Sequence, residues 1–144
     1  MQITEANKIN KTIKVVAIIL FKKKSCLIAN RPKSKIYSGF WEFPGGKVES
    51  GESLKGALKR ETLEELDIHL NIQDMCLFDN YFIKRGKLLL DLNFFFCEDW
   101  FGKISANEGQ EIRWIKPQEI KNFKFLNSNI RVLKKLENFF VPHD

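Results

Sequence analysis

Apolar runs predict paired strands in the first third of the chain. The β-branched run over 12–21 is typical of a buried strand, and 26–30 returns beside it after the turn KKKS. Residues 31–39 have loop composition, and 40–43 form a short extended piece that ends at the sequence PGG. The pattern therefore predicts a β-hairpin, a loop and a short strand.

Three further strands are predicted in the second half of the chain. The apolar runs 75–83 and 87–100 flank the turn KRGK, and 111–115 forms a last short strand.

Helical periodicity is found in two segments. The first covers Ser53–Leu66, with Ser50 or Ser53 as its N-cap. Pro117 opens a helical turn, and the second segment, 128–140, has apolar residues at helical spacing: Ile130, Leu133, Leu136 and Phe140. Strands placed between two helices predict an α/β fold with a mixed sheet covered on both faces.

Glutamates on the first helix continue its apolar stripe. In a helix that advances ~100° per residue, Leu54 and Leu58 mark the buried side. Glu61 and Glu65 fall on that side, with Glu64 beside them. Inward carboxylates are costly, and at this spacing they repel one another. A divalent cation offsets both costs, and oxygen ligands suit Mg²⁺. The pattern favours a metal site over two alternatives, ion pairs with a neighbouring arginine and fraying of the helix end.

Composition and charge restrict the class of protein. The chain has 144 residues, 44% hydrophobic and 29% charged, which is typical of one globular domain. The apolar run 15–21 is too short to span a bilayer and no signal peptide is recognisable, so a cytoplasmic protein without a membrane partner is expected. The net charge of +6 favours polyanionic ligands such as nucleotides, and the 24 Lys and Arg are spread along the chain rather than clustered as in a nucleic-acid-binding face. The three cysteines are expected to be buried thiols: Cys26, Cys76 and Cys97.

The segment from Gly46 to Ile68 resembles the Nudix box, G-x5-E-x7-R-E-U-x-E-E-x-G-U, in which U is a bulky apolar residue. The matching positions are Gly46, Glu52, Arg60, Glu61, Glu64, Glu65 and Ile68. Thr62 stands at an apolar position, and Asp67 replaces the glycine after the helix, where a left-handed C-cap is expected. Gly45 and Gly46 are expected to turn the backbone sharply and bring it close to a ligand.

The resemblance extends from about Thr12 to Leu136, and it is to the MutT-type branch, which hydrolyses oxidised purine nucleoside triphosphates. It is carried by the sequences ANRP, GFWEFPGGKVE, ANEGQEIRWI and FLNSNIRVLKKL. The implied fold is an α/β/α sandwich around a mixed β-sheet, with a flexible arm over 1–11 and one domain over 12–144. The implied reaction converts a nucleoside triphosphate and water to the monophosphate and pyrophosphate. An 8-oxo-dGTP diphosphatase-like monomer, without a stable nucleic-acid complex, is therefore expected.

The resemblance implies roles for the acidic residues and their neighbours. Magnesium, with Mn²⁺ as an alternative, is expected to be held by Gly46, Glu61, Glu64, Glu65 and Glu108. Glu108 is implied either as a ligand or as a group acting on the attacking water. Glu52 is expected to orient Arg60, which steadies the carboxylates; a salt bridge that only anchors the helix is the structural alternative.

The resemblance also implies contacts to the nucleoside. The candidate substrate-binding residues are Arg31, Glu42, Phe43, Phe82 and Asn129. Asn129 offers both a donor and an acceptor to an oxidised guanine. Phe43 is expected either to pack on the purine ring or to belong to the core, and Phe82 is a candidate for the far wall of the pocket.

Several other readings of the sequence stay open. Within the family, the substrate could instead be a CTP-like pyrimidine nucleotide, an RNA 5′ end or a nucleoside diphosphate derivative. A non-catalytic Nudix-fold binding module is expected to lack glutamates of the box, and here all are present. A small basic RNA-binding domain needs a clustered basic face with exposed aromatic residues. The sequence favours the enzyme.

Overall fold

A computed structural model of the protein describes residues 9–139, which form seven strands and two α-helices. The strands are β1 (Lys11–Lys22), β2 (Ser25–Asn30), β3 (Trp41–Glu42), β4 (Gly45–Lys47), β5 (Cys76–Arg85), β6 (Leu88–Cys97) and β7 (Glu111–Ile115). The helices are α1 (Leu54–Leu66) and α2 (Ile130–Phe139). Short 3₁₀ turns cover Ile72–Asp74, Pro117–Asn122 and Asn127–Asn129.

The long strand β1 organises a mixed sheet with the order β3-β2-β1-β6-β5. It runs parallel to β6, from the pair Lys11↔Leu88 to the pair Leu20↔Cys97. It also pairs antiparallel with β2 and with β4, while β7 pairs antiparallel with β2 and β5 with β6. The predicted mixed sheet is confirmed.

The sheet has a hydrophobic core on each face, because successive side chains of β1 point to opposite sides. Ala17 and Ile19 lie in the core that includes residues of α2, whereas Val16, Ile18 and Leu20 lie in the core that includes residues of α1. One helix therefore covers each face, which confirms the predicted α/β/α sandwich.

The two glycines after Pro44 form a strand, so the predicted sharp turn there is wrong. Gly45 and Gly46 belong to β4 and pair with Ala17 and Val16 of β1. Neither has a positive φ. What requires glycine is close approach: a Cβ on Gly45 would lie 1.9 Å from the Val16 carbonyl oxygen, and one on Gly46 would lie 2.4 Å from the carboxyl group of Glu61. The second contact ties this strand to α1.

Both ends of α1 are fixed by specific caps. Ser53, rather than Ser50, is the N-cap, and its Oγ accepts a hydrogen bond from the Gly56 N–H at 3.0 Å. Asp67 adopts the left-handed conformation, with φ of 60°, and its N–H donates to the Leu63 carbonyl. Asp67 thus takes the C-cap conformation expected for the glycine that it replaces.

Several predicted details of the strands and of the last helix are wrong. β6 ends at Cys97, its last pairing with β1, and Trp100 instead stacks on Trp114 with ring centroids 6.1 Å apart. Cys76 is exposed because it begins the edge strand β5, whereas the other two free thiols are buried. Ile130 is exposed because α2 buries a different set of side chains: Val132, Leu133 and Leu136.

The predicted ends of the domain lie partly outside residues 9–139. Lys11 already begins β1, and the arm proposed over 1–11 stays a prediction. Phe140, placed on the last helix by its spacing, is outside the described residues. Within the described range, no helix has both the length and the hydropathy needed to cross a membrane.

Candidate active site

The three glutamates of the motif lie along one side of α1, at increasing exposure. The Glu61 side chain is 15% exposed, Glu65 is partly buried and Glu64 is 54% exposed. Glu61 lies under β4, where the absence of a side chain at Gly46 makes room for its carboxyl group. Glu61 and Glu65 thus lie on the inward side of α1, as helical periodicity predicts, and Glu64 lies at the solvent edge of that side.

Arg60 links these glutamates to the loop before the helix. Its guanidinium donates to both carboxylate oxygens of Glu52 at 2.8 Å, to Glu61 Oε1 at 2.9 Å and to the Lys47 carbonyl at 3.1 Å. These bonds hold the pKa of the Glu52 carboxyl down, to about 2. Arg60 thus connects Glu61, β4 and the loop that precedes α1, and it holds them in fixed positions relative to one another. The pair of Glu52 and Arg60 is therefore able both to anchor the helix and to orient the glutamates.

The loop that carries Glu108 is bound to the end of α1. The N–H groups of Ser105 and Asn107 donate to the carbonyls of Leu66 and Glu65, at 2.9 and 3.0 Å. Gln110 donates to the same Glu65 carbonyl at 3.0 Å and accepts from the Glu108 N–H at 2.9 Å. These bonds satisfy carbonyls that a helix end leaves free. They also bring Glu108, distant in sequence, next to the glutamates of α1.

A cavity opens between this acidic group and the nucleoside-side candidates. Glu65 and Glu108 line one part of it, and Arg31 and Glu42 line another. Arg31 donates to Glu42 at 2.9 Å and to the Ile36 carbonyl at 2.8 Å. Burial raises the pKa of Glu42, and the arginine opposes that rise. The cavity thus has two halves of different chemistry, one with clustered acids and one with an ion pair.

Glu65 is the acid in this cluster whose protonation is most disturbed. Burial, followed by the negative charges of Glu61 and Glu108, raises the pKa of Glu65 well above its ordinary value. Without a cation, the folded protein therefore stabilises the neutral form of this carboxyl.

This shift predicts how the stability of the metal-free protein depends on pH. The folded state keeps the Glu65 proton at pH values where the unfolded chain, with a pKa of about 4.3, has released it. Because the folded state binds more protons, the free energy of unfolding is highest below that value and falls as pH rises towards the raised pKa. The expected fall exceeds about 1 kcal/mol between pH 5 and 8, measured by urea unfolding with a chelator present.

Two variants test this pH dependence. Glu65→Gln removes the titrating group and should flatten the decline, whereas Glu137→Gln, on the exposed side of α2, should leave it unchanged. Equal slopes in both variants would show that Glu65 is not responsible.

The donors present fit a hard divalent cation. Carboxylates from α1 and from the Glu108 loop approach one another, and the close contact between Gly46 and Glu61 leaves the β4 backbone beside them. Among residues 9–139, however, no three acidic, histidine or cysteine side chains already converge at metal-binding distance. Arg60 explains part of this, because it pairs with Glu61 and lies 3.6 Å from Glu64. The ligand set stays a prediction.

Two of the residues predicted to bind the nucleoside contact each other in the protein interior. Phe43 is buried in the core and packs on Phe94 and Phe125. Its N–H donates to Asn129 Oδ1 at 3.3 Å, and Asn129 Nδ2 donates to Ser128 Oγ at 3.1 Å. Asn129 is only 4% exposed. Its amide is therefore shielded from solvent and held by two hydrogen bonds that are longer than the usual length of about 2.9–3.0 Å.

Phe82 lies apart from Phe43 and Asn129, and its place on the far wall of the pocket stays a prediction. Tyr81, its neighbour on β5, lies in the same core as Phe43. Adjacent residues of a strand point to opposite faces, so Phe82 points to the other side of the sheet. In the sheet, Phe82 lies opposite Asp91 of β6, and its side chain is 55% exposed.

Four polar residues around the site lie outside the motif. They are Lys35, Asn107, Gln110 and Tyr81. Asn107 and Gln110 flank Glu108 in a short polar loop, a weak signal that they position it. The Tyr81 hydroxyl donates to the Ser128 carbonyl beside Asn129. Lys35 lines the cavity through loop geometry that the sequence does not reveal.

Comparisons with known proteins identify the family to which this chain is similar. The NUDIX domain family profile matches residues 11–136, which is most of the chain. The 8-oxo-dGTP diphosphatase of Buchnera aphidicola from Schizaphis graminum is 34% identical over 123 residues, which cover 85% of this chain and 92% of that protein. The CTP pyrophosphohydrolase of Escherichia coli K12 is 33% identical over 124 residues, 86% and 90% of the two chains.

Solved structures give the same result. A structure from work on MutT of Aliivibrio salmonicida and Vibrio cholerae has 34% identity and a TM-score of 0.79, covering 90% of this chain and 99% of the other. The solution structure of the E. coli ORF135 protein has 31% identity and a TM-score of 0.79, covering 93% and 96%. The fold, the motif on α1 and these matches together place the chain in the NUDIX family, as a hydrolase of that family.

Proposed function

We propose that this protein is a magnesium-dependent nucleoside triphosphate pyrophosphohydrolase that converts 8-oxo-dGTP, or a related oxidised purine nucleotide, to the monophosphate and pyrophosphate. The observation that carries the proposal is the cavity whose lining includes the acids Glu65 and Glu108 together with the ion pair of Arg31 and Glu42. A nucleotide has the same two-part chemistry, a charged phosphate chain and a polar base. The two named relatives above also act on nucleotides.

The residues of the acidic half perform two tasks in the proposed reaction. Glu61, Glu64, Glu65, Glu108 and the Gly46 carbonyl would hold Mg²⁺, which neutralises phosphate charge and acidifies bound water. Arg60 keeps Glu61 in place through its 2.9 Å bond, and Glu52 fixes Arg60 in turn. Burial and neighbouring acids raise the pKa of Glu65 in the metal-free protein, and a bound cation would favour its charged form.

The residues of the other half are proposed to bind the nucleoside. The Asn129 amide is held by two long hydrogen bonds, so exchanging them for bonds to a base edge costs little. Oxidised guanine presents a donor at N7, where guanine presents an acceptor, and an amide is able to distinguish the two. Arg31 and Glu42 form the rim that a base or sugar would meet. Phe43 supports this region from the core.

A second candidate is a CTP pyrophosphohydrolase, which the 33% identity to the E. coli enzyme of that name favours. The phosphate-binding half would be unchanged, because it does not contact the base. Only the choice of base would differ between the two activities.

A nucleotide panel separates these candidates. The purified protein with Mg²⁺ is assayed at equal concentrations of 8-oxo-dGTP, dGTP, CTP, a triphosphorylated RNA and a nucleoside diphosphate derivative. We expect the highest kcat/KM with 8-oxo-dGTP. The highest value with CTP would replace the first candidate by the second, and no hydrolysis of any of them would reject both.

The role proposed for Asn129 predicts a specific loss of selectivity. Asn129→Ala should lower the ratio of 8-oxo-dGTP to dGTP efficiency about tenfold, since each unsatisfied polar group costs roughly 1–3 kcal/mol. Ser128→Ala, which removes only the hydroxyl that the amide contacts, should largely preserve the ratio. Equal losses with both nucleotides in Asn129→Ala would mean that this amide supports the Phe43 backbone and does not read the base.

A further inference from the structure

The loop between β2 and β3 carries a lysine side chain into the cavity. The Lys35 N–H donates to the Pro32 carbonyl at 3.0 Å, and Arg31 Nε donates to the Ile36 carbonyl at 2.8 Å. Together the two bonds fold the loop back over the active site. Lys35 Nζ then lies 3.7 Å from Glu108 Oε2. The lysine therefore reaches the acidic half of the cavity from the nucleoside side.

Two cationic side chains, Arg31 and Lys35, line this cavity, and Arg31 is bound more tightly to a carboxylate than Lys35 is. Arg31 is committed to a 2.9 Å bond with Glu42 and to the loop carbonyl. Lys35 has a contact of 3.7 Å, longer than the 2.7–2.9 Å of a charge-assisted hydrogen bond, and its side chain is 51% exposed. An ion pair of this kind contributes little free energy. The ammonium group of Lys35 is consequently available to a stronger anion.

The position of Lys35 matches the path that a phosphate chain would take. If the base of a nucleotide lies beside Arg31 and Glu42, its phosphates come near Glu65 and Glu108, which line the same cavity. Lys35 lines the same cavity and faces Glu108. A cation held by the carboxylate of Glu108 would take this partner from the lysine and leave the ammonium group free for the phosphates.

We propose that Lys35 binds the outer phosphates of the substrate, which leave as pyrophosphate, and exchanges Glu108 for them when the nucleotide is bound. The assignment rests on the proposed function, because it takes a nucleoside triphosphate as the ligand. Lys35 is a binding residue in this account and takes no part in proton transfer. It lies outside the motif on α1, in a loop whose other lysine, Lys33, provides a matched control.

The test compares Lys35→Met with Lys33→Met, two substitutions that remove one charge from the same loop. We expect Lys35→Met to raise KM for the preferred nucleoside triphosphate about tenfold. This factor corresponds to the lower end of the free energy that is lost when a hydrogen bond between charged groups is removed. Calorimetry with Mg²⁺ and inorganic pyrophosphate should show Kd increased by a similar factor. Binding of the nucleoside monophosphate should be unchanged. Lys33→Met should match the unmutated protein throughout, and urea unfolding checks that both variants are folded.

Two results would overturn the assignment. One is that pyrophosphate affinity and KM in Lys35→Met equal those of Lys33→Met. The other is that Lys35→Met strengthens Mg²⁺ binding while leaving pyrophosphate affinity intact, which would make Lys35 only a competitor for Glu108. Lys35-dependent pyrophosphate binding by a protein that hydrolyses no triphosphate would support the assignment and overturn only the proposed function.

Discussion

Glu61→Gln and Glu65→Gln are each expected to lower Mg²⁺-dependent turnover at least about a hundredfold while leaving the fold intact. Both side chains lie on the inward side of α1, and glutamine keeps their shape while removing the charge that a cation requires. Glu61 would also lose its charge-assisted bond to Arg60. Activity and thermal unfolding are measured on the same preparations.

The same chemical change elsewhere provides the control for these variants. Glu137→Gln alters an exposed residue of α2 and should retain full activity. In the absence of metal, Glu65→Gln should be at least as stable as the unmutated protein above neutral pH, because it removes a buried acid beside two others. Near-normal activity in both Glu61→Gln and Glu65→Gln would refute the assignment of metal ligands.

Gly45→Ala is expected to destabilise the protein by at least about 3 kcal/mol. The new Cβ would lie 1.9 Å from the Val16 carbonyl oxygen and 2.7 Å from the Ala17 Cα, both backbone atoms of the central strand. Neither is able to move aside as a side chain would, so β4 has to separate from β1. For a chain of this size the melting temperature should fall by about 10 °C.

Gly56→Ala gives a matched comparison within α1. Its Cβ would meet only the side-chain oxygen of Ser53, at 2.9 Å, which is able to shift at the cost of weakening its cap bond to the Gly56 N–H. Alanine is also the better helix former, so the change in stability should stay within about 1 kcal/mol. If Gly45→Ala is tolerated as well as Gly56→Ala, then close packing of β4 on β1 is not what requires glycine.

Features determined within one segment could be predicted from the sequence. The spacing of Glu61 and Glu65 relative to Leu58 fixed their side of α1, because helical periodicity is a local property. The left-handed conformation expected after the helix is found at Asp67 for the same reason. The α/β/α arrangement followed from the order of strands and helices.

Features that depend on pairing between distant segments could not be predicted in this way. Gly45 and Gly46 have the composition of a turn, and only their pairing with β1 makes them a strand. The face to which Phe82 points depends on the register of β5 against β6, which a single residue reverses. Lys35 reaches the cavity because two loop bonds fold it back, and no periodicity describes such a loop.

Hydrolysis of 8-oxo-dGTP in ¹⁸O-labelled water, with Mg²⁺ present and the products identified, tests the central claim most directly. The account predicts the oxidised monophosphate and pyrophosphate, a higher efficiency than with dGTP, and loss of activity in Glu65→Gln. Label in the monophosphate would place attack at the phosphorus nearest the nucleoside, and label in the pyrophosphate would place it at the middle phosphorus. Release of orthophosphate, or turnover that persists without a divalent cation, would contradict the account.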